Sequence, residues 1–297
     1  VNIEESCQLS AVSFQQKQKH CSFPIGKKES KMKFRILALI IFGLLITASA
    51  QGQLVEEFNQ EDNSCCLPVF AQRVVNQLKD WNQLSRYKAD NEALKKSPYD
   101  PKRVVFMGDS ITDFWKLAEY FPVKPYVNRG ISGQTTPQML VRMYPDVVVH
   151  KPAAMVVLAG INDISQNTGP STPEMVQHNL MAMTDIAKQN NIKVILCSVL
   201  PVSDYGFYKA KASGKLPSYM KDPVTATHPT KDILKLNNWM KDYASKVRAT
   251  YVDYFSAMVD EKGFLKENLS EDGIHPNAEG YKIMTRIVGE ALDKVIK

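Results

Sequence analysis

The sequence predicts an α/β protein with a doubly wound parallel sheet of about five strands. Two observations carry that prediction. Short apolar runs recur along the chain beyond Pro101, and each is followed by a stretch whose apolar residues fall three or four apart. Strands alternating with helices in this way build a parallel sheet covered on both faces. In addition, the polar motifs fall just after strands or just before helices, where such a sheet places its ligand site. The chain has 297 residues, 44% hydrophobic and 23% charged, enough for one sizeable core.

The N-terminal region reads as a leader. Lys33 and Arg35 precede an apolar run from Ile36 to Ile46, and Ala48-Ser49-Ala50 follows. This is the pattern of a cleaved signal peptide over residues 32–50, with an apolar run too short to span a bilayer comfortably. Residues 1–31 lack periodicity and read as upstream sequence outside the native protein. The expected destination is periplasmic or secreted, with no stable membrane anchor after cleavage.

The first 50 residues hold seven Lys/Arg and three Asp/Glu. Without them the chain carries 30 basic against 28 acidic residues, a net charge of +2 instead of +6. The basic balance is thus mostly a leader effect, and nucleic acid is not an expected partner. Of five cysteines, Cys7 and Cys21 lie in the leader, Cys65 and Cys66 are adjacent, and Cys197 sits in an apolar run as a buried thiol. They give no disulfide framework, and no metal-ligand spacing is present.

Residues 51–100 read as a linker followed by an amphipathic helix. From Pro68 to about Lys96, Phe70, Val74, Leu78, Trp81, Leu84 and Tyr87 fall on one helical face. Ser97-Pro98-Tyr99-Asp100-Pro101 ends it. Residues 101–297 form the expected catalytic domain. Its strands are Arg103–Met107, Tyr126–Asn128, Ala153–Ala159, Ile192–Val199 and Tyr251–Asp253. The intervening helices are Thr112–Tyr120, Pro137–Tyr144, one capped by Ser171 with Pro173 in its first turn and running to Gln189, and Lys231–Val247. A final amphipathic helix, Asn277–Ile296, carries Tyr281, Met284, Val288, Leu292 and Val295 on one face. Pro201–Thr230 is the longest irregular segment and contains Tyr205, Phe207, Tyr208 and Tyr219. A loop of that length commonly serves a site.

Four short blocks could do chemistry. Ser110 follows the first strand in Gly108-Asp109-Ser110-Ile111. Taken alone, a serine there reads first as a helix cap, and the second glycine of a nucleophile elbow is missing. Gly130-Ile131-Ser132-Gly133 follows the second strand, and Gly160-Ile161-Asn162-Asp163 the third. The Gly133 amide and the Asn162 side chain are candidate donors to an oxyanion. Asp272-Gly273-Ile274-His275-Pro276 sets a carboxylate three residues before an imidazole, in a loop kept tight by Gly273 and Pro276. That spacing lets Asp272 orient His275 as a base toward a serine. His150, His178 and His228 read as surface or packing residues.

With these blocks in order, the chain resembles the SGNH hydrolases, also called GDSL esterases/lipases, from about Arg103 to the C-terminus. The closest likeness is to bacterial lipase/acylhydrolase-like members. The resemblance implies a flavodoxin-like three-layer α/β/α sandwich. It makes Ser110 the nucleophile, His275 the general base and Asp272 its orienting carboxylate. The Ser110 amide, the Gly133 amide and Asn162 would form the oxyanion hole. Ile111 stands where the family name has leucine, and Ile161 where a smaller residue or threonine is frequent, which would narrow the pocket. Asp109, Ile161, Tyr205, Phe207 and Tyr208 are the candidate substrate contacts. No cofactor or metal is implied. The expected reaction is hydrolysis of short acyl esters, such as O-acetyl groups of carbohydrates, through an acyl-enzyme. The alternatives are a lysophospholipase or thioesterase, and a non-catalytic glycan-binding module of the same fold. A flavodoxin-like nucleotide binder would need a phosphate loop, and Gly130-x-x-Gly133 is too short for one.

Overall fold

The computed structural model describes residues 78–216 and 221–296, together with Val75. The expected leader, Cys65 and Cys66, the start of the first predicted helix and Tyr219 lie outside the described residues.

Five strands form one all-parallel sheet: β1 (Val104–Gly108), β2 (Tyr126–Gly130), β3 (Ala154–Leu158), β4 (Lys193–Cys197) and β5 (Thr250–Val252). Their spatial order is β2-β1-β3-β4-β5, the flavodoxin-like order whose switch point lies between β1 and β3. Among the described residues the helices include α1 (Lys88–Lys96), α2 (Ser110–Asp113), α3 (Leu117–Tyr120), α4 (Thr136–Val141), α5 (Met143–Asp146), α6 (Ile161–Ile164), α7 (Pro173–Gln189), α8 (Tyr205–Ala212), α9 (Val224–Thr227), α10 (Thr230–Val247), α11 (Phe255–Met258) and α12 (Ala278–Val295).

Continuous apolar strands feed two cores because alternate side chains point to opposite faces. Val105 and Met107 of β1, Met155 and Val157 of β3, and Val194 and Leu196 of β4 meet Met139, Leu180, Met183, Leu236 and Met240 from α4, α7 and α10. Val104, Phe106, Val156, Leu158, Ile195 and Cys197 point the other way, onto Ile111, Trp115, Met284, Val288 and Leu292. Each fully buried side chain of this size contributes about 1.5–3 kcal/mol. The chain goes to one face after β1 and to the other after β2, which opens a crevice at the carboxyl ends of β1 and β3. Cys197 is a free, buried thiol.

Several predicted elements differ in detail. The helix expected from Pro68 to Lys96 is interrupted within its described part: Leu78 and Lys79 are helical, Asp80–Arg86 is mostly turn, and helix resumes at Lys88–Lys96. The Asp80 carboxylate accepts from the Ser85 amide and hydroxyl, and the carbonyls of Trp81 and Asn82 accept from Gln138 and Gln134 instead of from the next helical turn. The apolar stripe therefore does not persist: Tyr87 is buried, while Leu78, Trp81 and Leu84 are exposed. The helix predicted over Thr112–Tyr120 is two short ones, α2 and α3, and that over Pro137–Tyr144 splits into α4 and α5 around Arg142. The cap of α7 is Thr172, not Ser171; its hydroxyl accepts from the Met175 amide at 3.3 Å. The segment expected to be irregular after Pro201 contains α8 and α9.

Candidate active site

Ser110 is the first residue of α2, directly after β1. Asp109 caps that helix, its carboxylate accepting from the Ile111 amide at 3.0 Å. Amides in a helix's first turn lack intrahelical acceptors, so the Ser110 N–H is available at the helix start. The Ser110 hydroxyl lies 2.9 Å from His275 Nε2, and His275 Nδ1 lies 2.6 Å from Asp272 Oδ2. With Nδ1–H donating to the carboxylate, Nε2 carries the lone pair that accepts the serine proton.

The Asp272–His275 loop is fixed by its own hydrogen bonds. Asp272 Oδ1 accepts from the amides of Ile274 (2.9 Å) and His275 (2.8 Å), and the Gly273 amide donates to Ser270 Oγ (2.9 Å). Gly273 has φ +86°, and a Cβ there would lie 2.0 Å from the Ser203 carbonyl oxygen. The position therefore requires glycine for both conformation and space. Burial alone would raise the Asp272 carboxyl. The hydrogen bonds from the His275 side chain and amide and from the Ile274 amide, with the imidazole's charge, outweigh it and hold the group well below the usual carboxylate range. Phe114 packs beside the imidazole, ring centres 5.3 Å apart, and is 53% exposed.

The second and third blocks approach the same serine through the loops after β2 and β3. Gly133 adopts φ +77° with open space where a side chain would stand. Asn162, on α6, donates from Nδ2 to the Gln134 carbonyl (3.0 Å) and accepts at Oδ1 from Asn167 Nδ2 (2.8 Å). One Nδ2 proton is thereby fixed in place and the amide cannot flip. Asp163 receives the Thr136 amide and hydroxyl (2.6 Å to Oγ1) and so ties α6 to the start of α4. Burial raises its carboxyl above the ordinary value despite those bonds.

Beneath these loops lies a polar network that the sequence reading missed. Arg142 is fully buried. Its guanidinium donates to Gln134 Oε1 (2.6 Å), the carbonyls of Arg129 (2.7 Å) and Gly108 (3.1 Å), and Asp146 (3.0 Å). Gln134 in turn donates to the Asn82 carbonyl. One buried cation thus ties the strand ahead of Ser110 to the loop that carries Gly133. The sequence signal was thin: the polar run Gln134-Thr135-Thr136 after the second block. Nothing in the sequence marked Phe114.

The expected substrate contacts need correction. Asp109 is wholly buried as a helix cap, one carboxylate oxygen without a partner; burial pushes its carboxyl up to about 7. Ile161 belongs to the core and is 4% exposed. Phe207 is buried, edge-on to the exposed Tyr208. The Tyr205 hydroxyl donates to Asp260 (2.6 Å) in a separate cleft lined by Lys209, Lys262 and Lys266. The start of α8 supports the imidazole loop instead: a Cβ on Gly206 would lie 2.3 Å from the Glu271 carbonyl oxygen. Among the described residues, no group of three or more His, Cys, Asp or Glu side chains is placed to hold a metal ion.

The family described as GDSL-like Lipase/Acylhydrolase matches residues 106–283, which contain all four blocks. No curated protein matches the chain. Among solved structures, a candidate acylhydrolase from Bacteroides fragilis is 37% identical with a TM-score of 0.63, over 73% of this chain and 99% of that one. A GDSL-like lipase from Bacteroides thetaiotaomicron is 36% identical with a TM-score of 0.61, over 72% and 98%. A protein of Streptococcus pneumoniae, described as a candidate platelet activating factor, shares the fold at 23% identity and a TM-score of 0.59, over 74% and 99%. The chain belongs to the GDSL-like lipase/acylhydrolase family, the SGNH hydrolases, and is a carboxylic ester hydrolase.

Proposed function

We propose that this hydrolase works through a Ser110 acyl-enzyme and acts on short acyl esters, O-acetyl groups of carbohydrates above all. The observation that carries the mechanism is the line from Ser110 Oγ through His275 to Asp272, at 2.9 and 2.6 Å. Ser110 Oγ attacks the acyl carbonyl while His275 Nε2 takes its proton. The resulting imidazolium is stabilised by ionised Asp272 and returns the proton to the departing alkoxide. Water activated by the same imidazole then hydrolyses the acyl-enzyme. The Ser110 and Gly133 amides and the Asn162 side chain are the donors to the tetrahedral oxyanion. Export to the periplasm or beyond fits the leader and a polymeric substrate.

A lipid ester would need a continuous apolar lining, and the cleft beside Gly133 offers only Trp81 among polar residues.

A fluorophosphonate probe and aryl esters graded from acetate to palmitate test the reading. The wild type should label at Ser110 and prefer acetate. Ser110→Ala should abolish labelling and lower turnover on the order of a million-fold. Asn162→Ala should label slowly and lose roughly 100- to 1000-fold in turnover. Near-full activity in Ser110→Ala would overturn the mechanism; a palmitate optimum would overturn the substrate class.

A further inference from the structure

The stretch between Asp80 and Arg86, predicted as helix, stands at the edge of the site as a wall. A cleft of about 600 Å³ runs between Trp81 and Gln83 on one side and Ser132, Gly133, Asn167 and Thr168 on the other. Its floor thus includes one proposed oxyanion donor, Gly133, and the neighbour that fixes another, Asn167. Trp81 is 48% exposed; the chain's other two tryptophans are buried (Trp115) and half-buried, stacked on Tyr243 (Trp239).

The wall is held by its main chain. Gln138 donates to the Trp81 carbonyl, and Gln134 Nε2 donates to the Asn82 carbonyl at 2.9 Å. Gln134 is the same residue whose carbonyl orients Asn162. Gln83 sits at φ +55°, a conformation costly for a side chain with a Cβ and kept where the surroundings impose it. Wall and oxyanion donors are therefore one fastened unit, with the Trp81 ring free of those fastenings.

Size and charge decide what the cleft takes. An acetyl group occupies roughly 60 Å³, about two waters' share of liquid volume, so the space far exceeds a short acyl group and suits the alcohol part of the ester. Among the described residues, Asp80 is the one charged residue lining it, which disfavours a phosphate-bearing alcohol. An indole face rimmed by amide and hydroxyl groups suits a neutral ring that has one apolar face and a hydroxylated edge.

We infer that this cleft is the subsite for the alcohol portion of the ester, a neutral pyranose, with Trp81 as its stacking platform and Gln83 as a hydrogen-bond partner for a ring hydroxyl. The inference rests on the ester-hydrolase mechanism proposed above.

The test compares wild type, Trp81→Ala and Trp81→Phe on acetylated xylo-oligosaccharide and on ethyl acetate, whose alcohol is too small to reach the indole. Trp81→Ala should lose about tenfold in kcat/KM on the oligosaccharide, mostly through KM, and stay within about twofold on ethyl acetate. Trp81→Phe should recover most of the loss. In Ser110→Ala, deacetylated xylo-oligosaccharide should shift the tryptophan emission, and adding Trp81→Phe should remove the shift. Equal losses on both esters, or none, would overturn the subsite and leave the mechanism standing. Cleavage of ethyl acetate without any cleavage of acetylated sugar would overturn the pyranose assignment alone. Failure on both esters, with Ser110 unreactive to the fluorophosphonate, would remove the underlying mechanism and the subsite with it.

Discussion

Asp109 and Asp272 are two carboxylates at one site with opposite environments. Asp272 receives two amides and the imidazole and stays ionised; Asp109 receives one amide, has one oxygen without a partner and is wholly buried, which pushes it up to about 7. A raised carboxyl means that between about pH 4 and 7 the folded state holds a proton that the unfolded chain has released. Stability from this group is therefore present at low pH and lost as pH rises through that window. Asp109→Asn keeps an oxygen for the Ile111 amide and removes the ionisation. Its melting temperature relative to wild type should rise between pH 5 and pH 8, reaching about 2–4 kcal/mol of relative stabilisation. Parallel melting curves across that range would show that the Asp109 carboxyl does not titrate there. In the sequence, Asp109 and Asp272 differ only in their neighbours. Block order identified Asp272, but the burial that separates the two depends on how β1, α2 and α12 pack, which no local pattern records.

At the scale of elements, the turns between regular structures hold the site. The Asp272–His275 loop is clamped to the segment before α8, where the Ser203 amide donates to the Gly273 carbonyl at 2.9 Å and the Ser203 carbonyl fills the space of a missing Cβ. Gly273→Ala adds the cost of a left-handed conformation, about 1–2 kcal/mol, and a backbone clash that moving the loop relieves. Because Asp272 and His275 ride on that loop, the variant should lose more than 100-fold in kcat and react slowly with the fluorophosphonate, while most of the fold persists by circular dichroism. Retained kcat would show that the loop tolerates the shift. The long strands and α7, α10 and α12 were legible because their apolar periodicity follows directly from burial. The break in the predicted helix at Asp80–Arg86 was not. The segment's side chains repeat with helical spacing, yet Gln134 and Gln138 take its carbonyls from more than 50 positions away. Tertiary hydrogen bonds of this kind override local propensity. The aromatic segment after Pro201 was misjudged for a related reason: Phe207 faces inward and the Tyr205 hydroxyl finds Asp260, so composition alone exaggerated its role at the site.

Across the whole molecule, the same long-range hydrogen bonding joins α1 to the sheet through a buried cluster. Asn91 Oδ1 accepts from Arg129 (2.7 Å from Nη2) and from His150 Nε2 (3.0 Å), and Asn91 Nδ2 donates to Asp146 (2.6 Å), which also pairs with Arg142. Asn91 and His150 are 59 positions apart, and each alone in the sequence looks like an ordinary surface polar residue. His150 is 3% exposed. Burial first, then the Arg129 guanidinium, hold its imidazole down to about 4; the Pro145 carbonyl opposes them, and Arg103 and Asp146 add weaker effects of opposite sign. The folded state therefore keeps His150 neutral while the unfolded chain protonates it below about pH 6.5. Stability from this residue is present above that value and is lost as pH falls toward 4. The loss should reach about 2 kcal/mol by pH 5, or about 4–8 °C in melting temperature for a domain of this size. His150→Gln keeps an amide donor for Asn91 without a titrating group. Its melting temperature should start below wild type at pH 7.5, because the ring's packing is lost, and the gap should close as pH falls to 5. Scanning calorimetry of both proteins at pH 7.5, 6.5, 5.5 and 5 checks this, and a gap that stays constant would place the acid sensitivity elsewhere. Because Arg142 joins this cluster to the Gly108 carbonyl and to Gln134, loosening it at low pH should also slow fluorophosphonate labelling of wild type relative to His150→Gln at pH 5, where both carry the same catalytic imidazole.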